Sequence, residues 1–415
     1  MGGDGGDGHQ SRAPAGRHMK LPAAAWQARD GLPSLLDALG AAEGRTRYVG
    51  GAVRDTLAGI AVQDIDLATS LAPEATIRRV RAAGFKAIPT GLAHGTVTAI
   101  LPGGHPVEVT TLRRDVTTDG RRATVAFTDD WREDAARRDF TINALSADPA
   151  SGAVHDYFGG VDDLAAGRVR FIGDPLTRIA EDHLRILRFF RFHARFGTGA
   201  PEGAGLAACI ARANDLMALS RERIADELLK LLALPNPVAT ARLMAEQGIL
   251  RPVLPEIDAD GPDRLARLVA REARLGIAPA GLRRLAALLP RDPALAMQIG
   301  TRLKLSNVAR AFLALCTAPL APAPPRVIGW RHPREASDLI LLADWPEALI
   351  DDALATLATW ERPHFPLKGG DLVALGIGPG PRVAAALQAI EREWVDADFP
   401  DAAWVTARAR AMAGR

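Results

Sequence analysis

The chain has 415 residues, 48% hydrophobic and 24% charged, with 51 Lys+Arg against 49 Asp+Glu and only two cysteines. That balance excludes disorder over most of the length, and Cys209 and Cys316 are too few and too far apart for a disulfide framework or a thiolate-ligated zinc. No apolar run approaches the ~18 residues that span a bilayer and no signal peptide opens the chain, so the reading is a reduced, cytoplasmic protein of about two to four domains.

The positive charge is nearly all arginine, which grips phosphates and bases bidentately but which a GC-rich genome would also favour. Residues 1–18 are Gly-rich and lack apolar periodicity; they read as a disordered lead, with Met19 a candidate start. The spacing of Trp26, Leu32, Leu35, Leu36 and Leu39 predicts a helix ending at Gly40. A compact α/β stretch follows. Thr46–Gly51 reads as a strand running into a Gly turn, Val53–Gly59 as a short helix and Asp64–Thr69 as a second strand. Pro73–Gly84 predicts a helix, and Phe85–Thr90, Gly95–Leu101 and Pro106–Leu112 predict three more strands. Residues 113–133, polar and carrying Arg113, Asp115, Asp129 and Asp130, read as a mobile loop. Beyond Trp131 the pattern is helical to the end, apart from β-like pieces near Val154–Phe158 and Val169–Ile172, with proline clusters at 235–237, 252–255 and 320–325 marking boundaries. The expected fold is a small α/β head, with a mixed sheet of about five strands, followed by a long all-α body.

Chemistry concentrates in the head. In Asp64-Ile65-Asp66-Leu67, strand alternation throws both carboxylates to one face, about 7 Å apart, where they repel unless a cation sits between them. Magnesium suits such a pair, completing its shell with water and phosphate oxygens; a solvent-facing strand edge is the bland alternative. Val107-Glu108-Val109 alternates in the same way, so Glu108 is a candidate third acid. Three acids on neighbouring strands are what two-metal phosphoryl transfer requires, with one ion acidifying the attacking hydroxyl and the other neutralising a triphosphate. Gly50-Gly51, between a strand and a helix, allows close approach of backbone to phosphate, and Arg54 stands ready to add a charge-assisted bond; a tight turn with an Arg54–Asp55 surface pair is the alternative. No Walker A lysine motif occurs, which excludes a P-loop enzyme. His94, at a strand start, reads as a structural or phosphate-contacting residue rather than a base.

Asp182 and Arg185, three apart on a predicted helix, form a second constellation. A carboxylate that accepts from an exocyclic amino group and a guanidinium that donates to a ring nitrogen suit both cytosine and adenine. Uracil and guanine present the opposite order, and such a mismatch discriminates strongly. An ordinary Glu181–Arg185 salt bridge is the competing reading. Asp139 and Asn143, four apart, would likewise share a face, and Arg188, Arg191 and Arg195 continue along the side of the helix that Arg185 begins.

The string Gly50-Gly51-Ala52-Val53-Arg54-Asp55, followed by Asp64-Ile65-Asp66-Leu67-Ala68-Thr69, resembles the signature of class II nucleotidyltransferases, which comprise tRNA CCA-adding enzymes and bacterial poly(A) polymerases. Three further blocks agree in order. Arg137-Arg138-Asp139-Phe140-Thr141-Ile142-Asn143-Ala144 resembles the ribose-recognition block, Glu181-Asp182-His183-Leu184-Arg185 the base-reading block, and Ser220–Ile224 with Glu227-Leu228 a helical support block. The resemblance covers roughly residues 46–232, and the last 180 or so residues carry no motif of this kind.

The resemblance implies a nucleotidyltransferase head at 19–152, a helical neck with the base-reading helix at 153–236, and an RNA-binding helical body and tail at 237–415. It also implies two Mg²⁺ ions on Asp64 and Asp66, with Glu108 as a further catalytic acid. CTP and ATP would be held by Gly50, Gly51, Arg54, Arg138, Asp139, Asn143, Asp182, Arg185 and Arg188. The expected partner is tRNA, at its 3′ end, acceptor stem and T-arm; no membrane or protein partner is indicated. Residues 89–96 lack the basic cluster of the polyadenylating relatives, which favours CCA addition over poly(A) synthesis. A partial CC- or A-adding enzyme and a non-catalytic RNA-binding protein are the remaining alternatives, and no His-Asp pair after residue 230 supports a phosphohydrolase.

Overall fold

The computed structural model describes residues 19–119 and 122–414, so the expected lead at 1–18 lies outside the described residues. The chain divides into two units, one up to Leu219 and the other from Ser220 onward. The division falls inside the stretch 153–236, so the α/β fold and the base-reading segment share the first unit.

The first unit opens with a 3₁₀ turn, Ala25–Ala28, and helix α1, Leu32–Ala38. The single helix expected here is interrupted at Gly31, which adopts φ +81°, a conformation that glycine accepts without steric cost. Next come β1 (Thr46–Val49), α2 (Gly51–Leu57), β2 (Ile65–Thr69), α3 (Pro73–Ala82), β3 (Lys86–Gly91), β4 (Thr96–Ile100) and β5 (Pro106–Thr111). Within the stretch 113–133, expected to be a loop, β6 (Arg113–Asp119) and β7 (Arg122–Phe127) instead pair as antiparallel strands, apart from the main sheet. Val116, Thr117 and Thr118 in one strand and Thr124, Val125 and Phe127 in the other supply the β-propensity that a reading of polarity alone misses.

Helix α4 (Trp131–Ala136) leads to two very short strands, β8 (Ser146–Ala147) and β9 (Val154–His155). The main sheet therefore has seven strands rather than about five, in the order β3-β4-β5-β2-β1-β8-β9. All its pairings are antiparallel except β2–β5, which runs parallel and aligns Ile65 with Val107, Asp66 with Glu108 and Leu67 with Val109. Those aliphatics are at most 1% exposed and pack under α1 and α3 with Leu35 and Val80, so burial of one face fixes the register that sends Asp66 and Glu108 to the other. Helices α5 (Gly160–Ala165), α6 (Pro175–Glu181), α7 (Arg185–Phe196) and α8 (Gly203–Ala211) complete the unit.

The second unit is helical, from Arg221–Leu232 to Ala402–Ala413, and contains no strand among its described residues. Its middle holds a buried ionic cluster. Glu272, 2% exposed, accepts from Arg283 Nε and from Arg284 Nε, both at 2.7 Å. Arg283 also reaches Asp338 at 2.6 Å, and Arg284 donates to the carbonyls of Leu232 and Leu234, capping the end of the Arg221–Leu232 helix. Truncating the shared carboxylate leaves buried Arg284 without a counter-ion and Arg283 with Asp338 alone. Glu272→Ala is therefore expected to lower unfolding stability by about 3–5 kcal/mol in denaturant titration; a loss under ~1 kcal/mol would contradict this account.

Candidate active site

One cleft in the first unit gathers ten of the twelve site residues that the resemblance implies: Gly50, Gly51, Arg54, Asp66, Arg138, Asp139, Asn143, Asp182, Arg185 and Arg188. Its volume, about 360 Å³, is of small-molecule size. A larger hollow of about 660 Å³ opens beside Trp26 and Ile60, but its lining is mostly apolar and brings no carboxylates together. The cleft, in contrast, is lined by five guanidiniums and by the three carboxylates of Asp66, Asp139 and Asp182, and only Asp66 comes from the strand edge.

The acidic edge is built by strand register. Asp66 and Glu108 lie side by side on the parallel β2–β5 pair, and Asp64 precedes β2, exposed. Burial raises the Asp66 carboxyl to about 6, and the neighbouring Glu108 and Asp64 charges push the same way, against Arg138 and Arg54. Asp64 and Glu108 are not part of the cleft lining, and among the described residues no three metal-ligating side chains close around one point. The donor chemistry nonetheless fits a hard divalent cation, because carboxylate oxygens crowd where negative charge is disfavoured.

The turn at Gly50 has φ +61°, a conformation that calls for glycine, and a Cβ there would lie 3.0 Å from the end of the Arg138 side chain, which would have to shift slightly. Arg54, expected at the surface or on a phosphate, is 6% exposed. Its Nε and Nη2 grip Asp55 Oδ1 at 2.7 and 2.6 Å, and its Nη1 donates to Asn143 Oδ1. The Arg54–Asp55 pair thus forms, but in the interior.

Asp139 and Asn143 do not share a helix face as expected. Phe140 is extended and bridges to Phe171, and Thr141–Asn143 make one 3₁₀ turn. Docking is apolar: the Phe140 ring lies 4.9 Å from Phe171 and 5.4 Å from Phe192 of α7, and Phe171 stacks on Phe189 at 5.5 Å. The pair still meets, with Asn143 Nδ2 donating to Asp139 Oδ1 at 2.9 Å. Arg188 holds the other oxygen through Nε at 2.7 Å and Nη2 at 2.6 Å. Burial would raise the Asp139 carboxyl, but Arg188 and the Asn143 bond hold it below the usual carboxylate range.

The base-reading helix is broken. Asp182 is extended (φ −153°) at the end of α6, and its Oδ1 accepts from Leu184 N at 3.1 Å, a local bond that ends one helix and starts α7. Asp182 and Arg185 both line the cleft from this junction. The alternative Glu181–Arg185 salt bridge also forms, and Arg185 donates further to the carbonyls of Arg178 (2.8 Å) and Arg137 (3.2 Å). His94 is exposed in a 3₁₀ turn and does not line the cleft.

A model of the poly A polymerase head domain matches residues 46–170, and one described as the probable RNA and SrmB-binding site of polymerase A matches 202–260. The mitochondrial CCA tRNA nucleotidyltransferase 1 of Mus musculus is 35% identical over 396 residues, covering 91% of this chain and 89% of that protein. The CCA-adding enzyme of Lacticaseibacillus paracasei is 32% identical, covering 85% of this chain and 89% of its own length. The crystal structure of the Bacillus stearothermophilus CCA-adding enzyme in complex with CTP superposes with a TM-score of 0.71 at 27% identity, covering 92% of this chain and 98% of that one. The chain belongs to the class II CCA-adding enzyme and poly(A) polymerase family.

Within this class II nucleotidyltransferase, sequence reasoning missed the groups that brace the cleft. Asp134 accepts from Arg137 Nε at 2.9 Å and Arg138 Nη2 at 3.2 Å; burial alone would raise its carboxyl, but those two guanidiniums hold it low. Burial in turn lowers Arg137 to about 10. Arg178 donates to the carbonyls of Ala136 and Arg138 at 2.9 and 2.7 Å, tying α6 to the end of α4. Only the i,i+3 and i,i+4 spacing of Asp134 to Arg137 and Arg138 was available as a signal.

The position of Asp66 carries a stability cost. Its folded-state value lies above the 3.8 of an unperturbed aspartate, so its charge opposes folding from about pH 4 upward, in full above about pH 6, and the cost disappears at lower pH. Asp66→Asn is expected to stabilise the metal-free protein at pH 8 by up to about 3 kcal/mol, with the gain vanishing near pH 4. Equal melting of both proteins at pH 8 would contradict it.

Proposed function

We propose that this chain builds the C-C-A end of tRNA from CTP and ATP, joining each nucleotide to the RNA 3′-hydroxyl with release of pyrophosphate. What supports this above all is the meeting of the strand-edge carboxylate Asp66, the polar pair Asp139–Asn143 and the carboxylate–guanidinium pair Asp182–Arg185 in one cleft.

Asp64 and Asp66, with Glu108 beside them, are the residues that would hold two Mg²⁺ ions, which supply acidification of the 3′-hydroxyl and neutralisation of the triphosphate. The Gly50–Gly51 turn gives the triphosphate close backbone approach, and Arg138 lends positive charge beside it. Asp139 and Asn143 face the ribose 2′-hydroxyl. Asp182 accepts from the exocyclic amino group of cytosine or adenine, and Arg185 donates to the adjacent ring nitrogen. Glu181 and the carbonyls of Arg137 and Arg178 fix the plane of that guanidinium, so the same edge is offered to both bases. The helical second unit grips the acceptor stem and T-arm by shape and backbone contact. We place the enzyme in the cytoplasm, which suits two free, buried cysteines; among the described residues no helix is long and apolar enough to cross a membrane.

Incubation with Mg²⁺, labelled CTP and ATP, and tRNA lacking its 3′ end is expected to add three nucleotides and stop. A long A tail would support poly(A) synthesis, a stop after CC or addition of A alone a partial enzyme, and no incorporation a binding protein. Asp66→Ala is expected to abolish incorporation while a gel-shift still registers tRNA binding. Combining Asp182→Ala with Arg185→Ala is expected to erode choice between CTP and UTP by about 10²-fold or more; unchanged selectivity would reject the base-reading assignment.

A further inference from the structure

We infer that Asp55, with Arg195 as its counter-ion, is a positioning residue that, through Arg54, anchors the oxygen side of the sugar-reading amide of Asn143. This rests on the proposed reading of Asp139 and Asn143 as the ribose contact. Asp55 is 6% exposed, and its two oxygens are divided between two elements: Oδ1 accepts from Arg54 on α2, and Oδ2 accepts from Arg195 Nη2 at 2.8 Å on the last turn of α7.

Guanidinium geometry does the rest. A guanidinium is planar and donates only; once Nε and Nη2 are taken by Asp55, Nη1 is aimed in a fixed direction, and it meets Asn143 Oδ1. The Arg54 plane is further held by the Phe196 ring, 4.4 Å from its Cζ. Because Arg54 has no acceptor, Asn143 must present its oxygen to Arg54 and its Nδ2 to Asp139. A flipped amide would place two donors face to face. The sugar-reading amide is therefore held from two sides, at its nitrogen by the accept-only carboxylate of Asp139 and at its oxygen by Asp55 through Arg54.

Helix α7 clamps both ends of this chain of bonds. Arg188 holds Asp139 and Arg195 holds Asp55; the two arginines are seven residues apart, two turns along one helix face, or about 10 Å. The Asp139–Asn143 pair lies between the two clamps. The base-reading pair, by contrast, sits at the opposite end of α7 from Arg195, so the two kinds of selection are separable.

The test measures kcat/KM for CTP, 2′-deoxy-CTP and UTP in Asp55→Asn, Arg195→Gln, Arg195→Lys and Asn143→Ala. The Arg195 side chain is 29% exposed, so its replacement leaves a folded protein for assay even where a change at buried Asp55 does not. Asp55→Asn and Arg195→Gln are expected to cut the preference for CTP over 2′-deoxy-CTP about tenfold, the effect of one misplaced charge-assisted hydrogen bond, while CTP over UTP is unchanged and Arg195→Lys recovers most of the loss. Equal loss on CTP and 2′-deoxy-CTP would mark a merely structural role and overturn the inference. An intact ribose preference in both bridge variants, with loss in Asn143→Ala, would overturn the bridge alone. An intact preference in Asn143→Ala would overturn the sugar assignment and the bridge with it.

Discussion

Two carboxylates placed side by side on parallel strands are the constraint around which the head is organised. The β2–β5 register is fixed by aliphatics buried on the opposite face, and a slip of one residue would bury Asp66 and Glu108 and expose Ile65 and Leu67. The hydrophobic core thus enforces an electrostatic arrangement that the carboxylates alone would not adopt. Burial and like charge raise Asp66 well above an ordinary aspartate, and the guanidiniums across the cleft offset only part of that cost. A site that destabilises its own empty form in this way has a preference for cations built into it.

The positive wall is assembled differently, by ion pairs between segments distant in sequence. Helix α7 is the common support: its phenylalanines dock the segment after Asp139, while Arg188 and Arg195 hold acids of the head at two points along one face. Each of the cleft's arginines has an acidic protein partner, Asp134 for Arg137 and Arg138, Glu181 for Arg185, Asp55 for Arg54 and Asp139 for Arg188. Each is held in one orientation and loses little rotamer freedom when a nucleotide arrives.

Much of the site was legible because its determinants are local. Strand alternation placed Asp66 and Glu108 on one face, the Gly50 turn required glycine, and three of the four ordered blocks brought together residues that do line one cleft, while the fourth, from Ser220, lies in the second unit. What was not legible is non-local or weakly patterned. The Asp55–Arg195 bond spans 140 residues, and no periodicity announces it. The break at Asp182 depends on a side chain capturing Leu184 N in preference to helix continuation, and strands of two residues such as β8 and β9 are too short to show alternation. Residues 113–127 were misread because charge was weighted over the β-branched residues between.

The most direct test of the central claim is crystallographic, using the full-length protein soaked with CTP and manganese and read by anomalous scattering. The account predicts a triphosphate in the cleft beside Gly50 and Gly51, with metal density bridging it to the carboxylates of Asp64 and Asp66. A bound triphosphate with those carboxylates turned apart, and no anomalous peak between them, would contradict it.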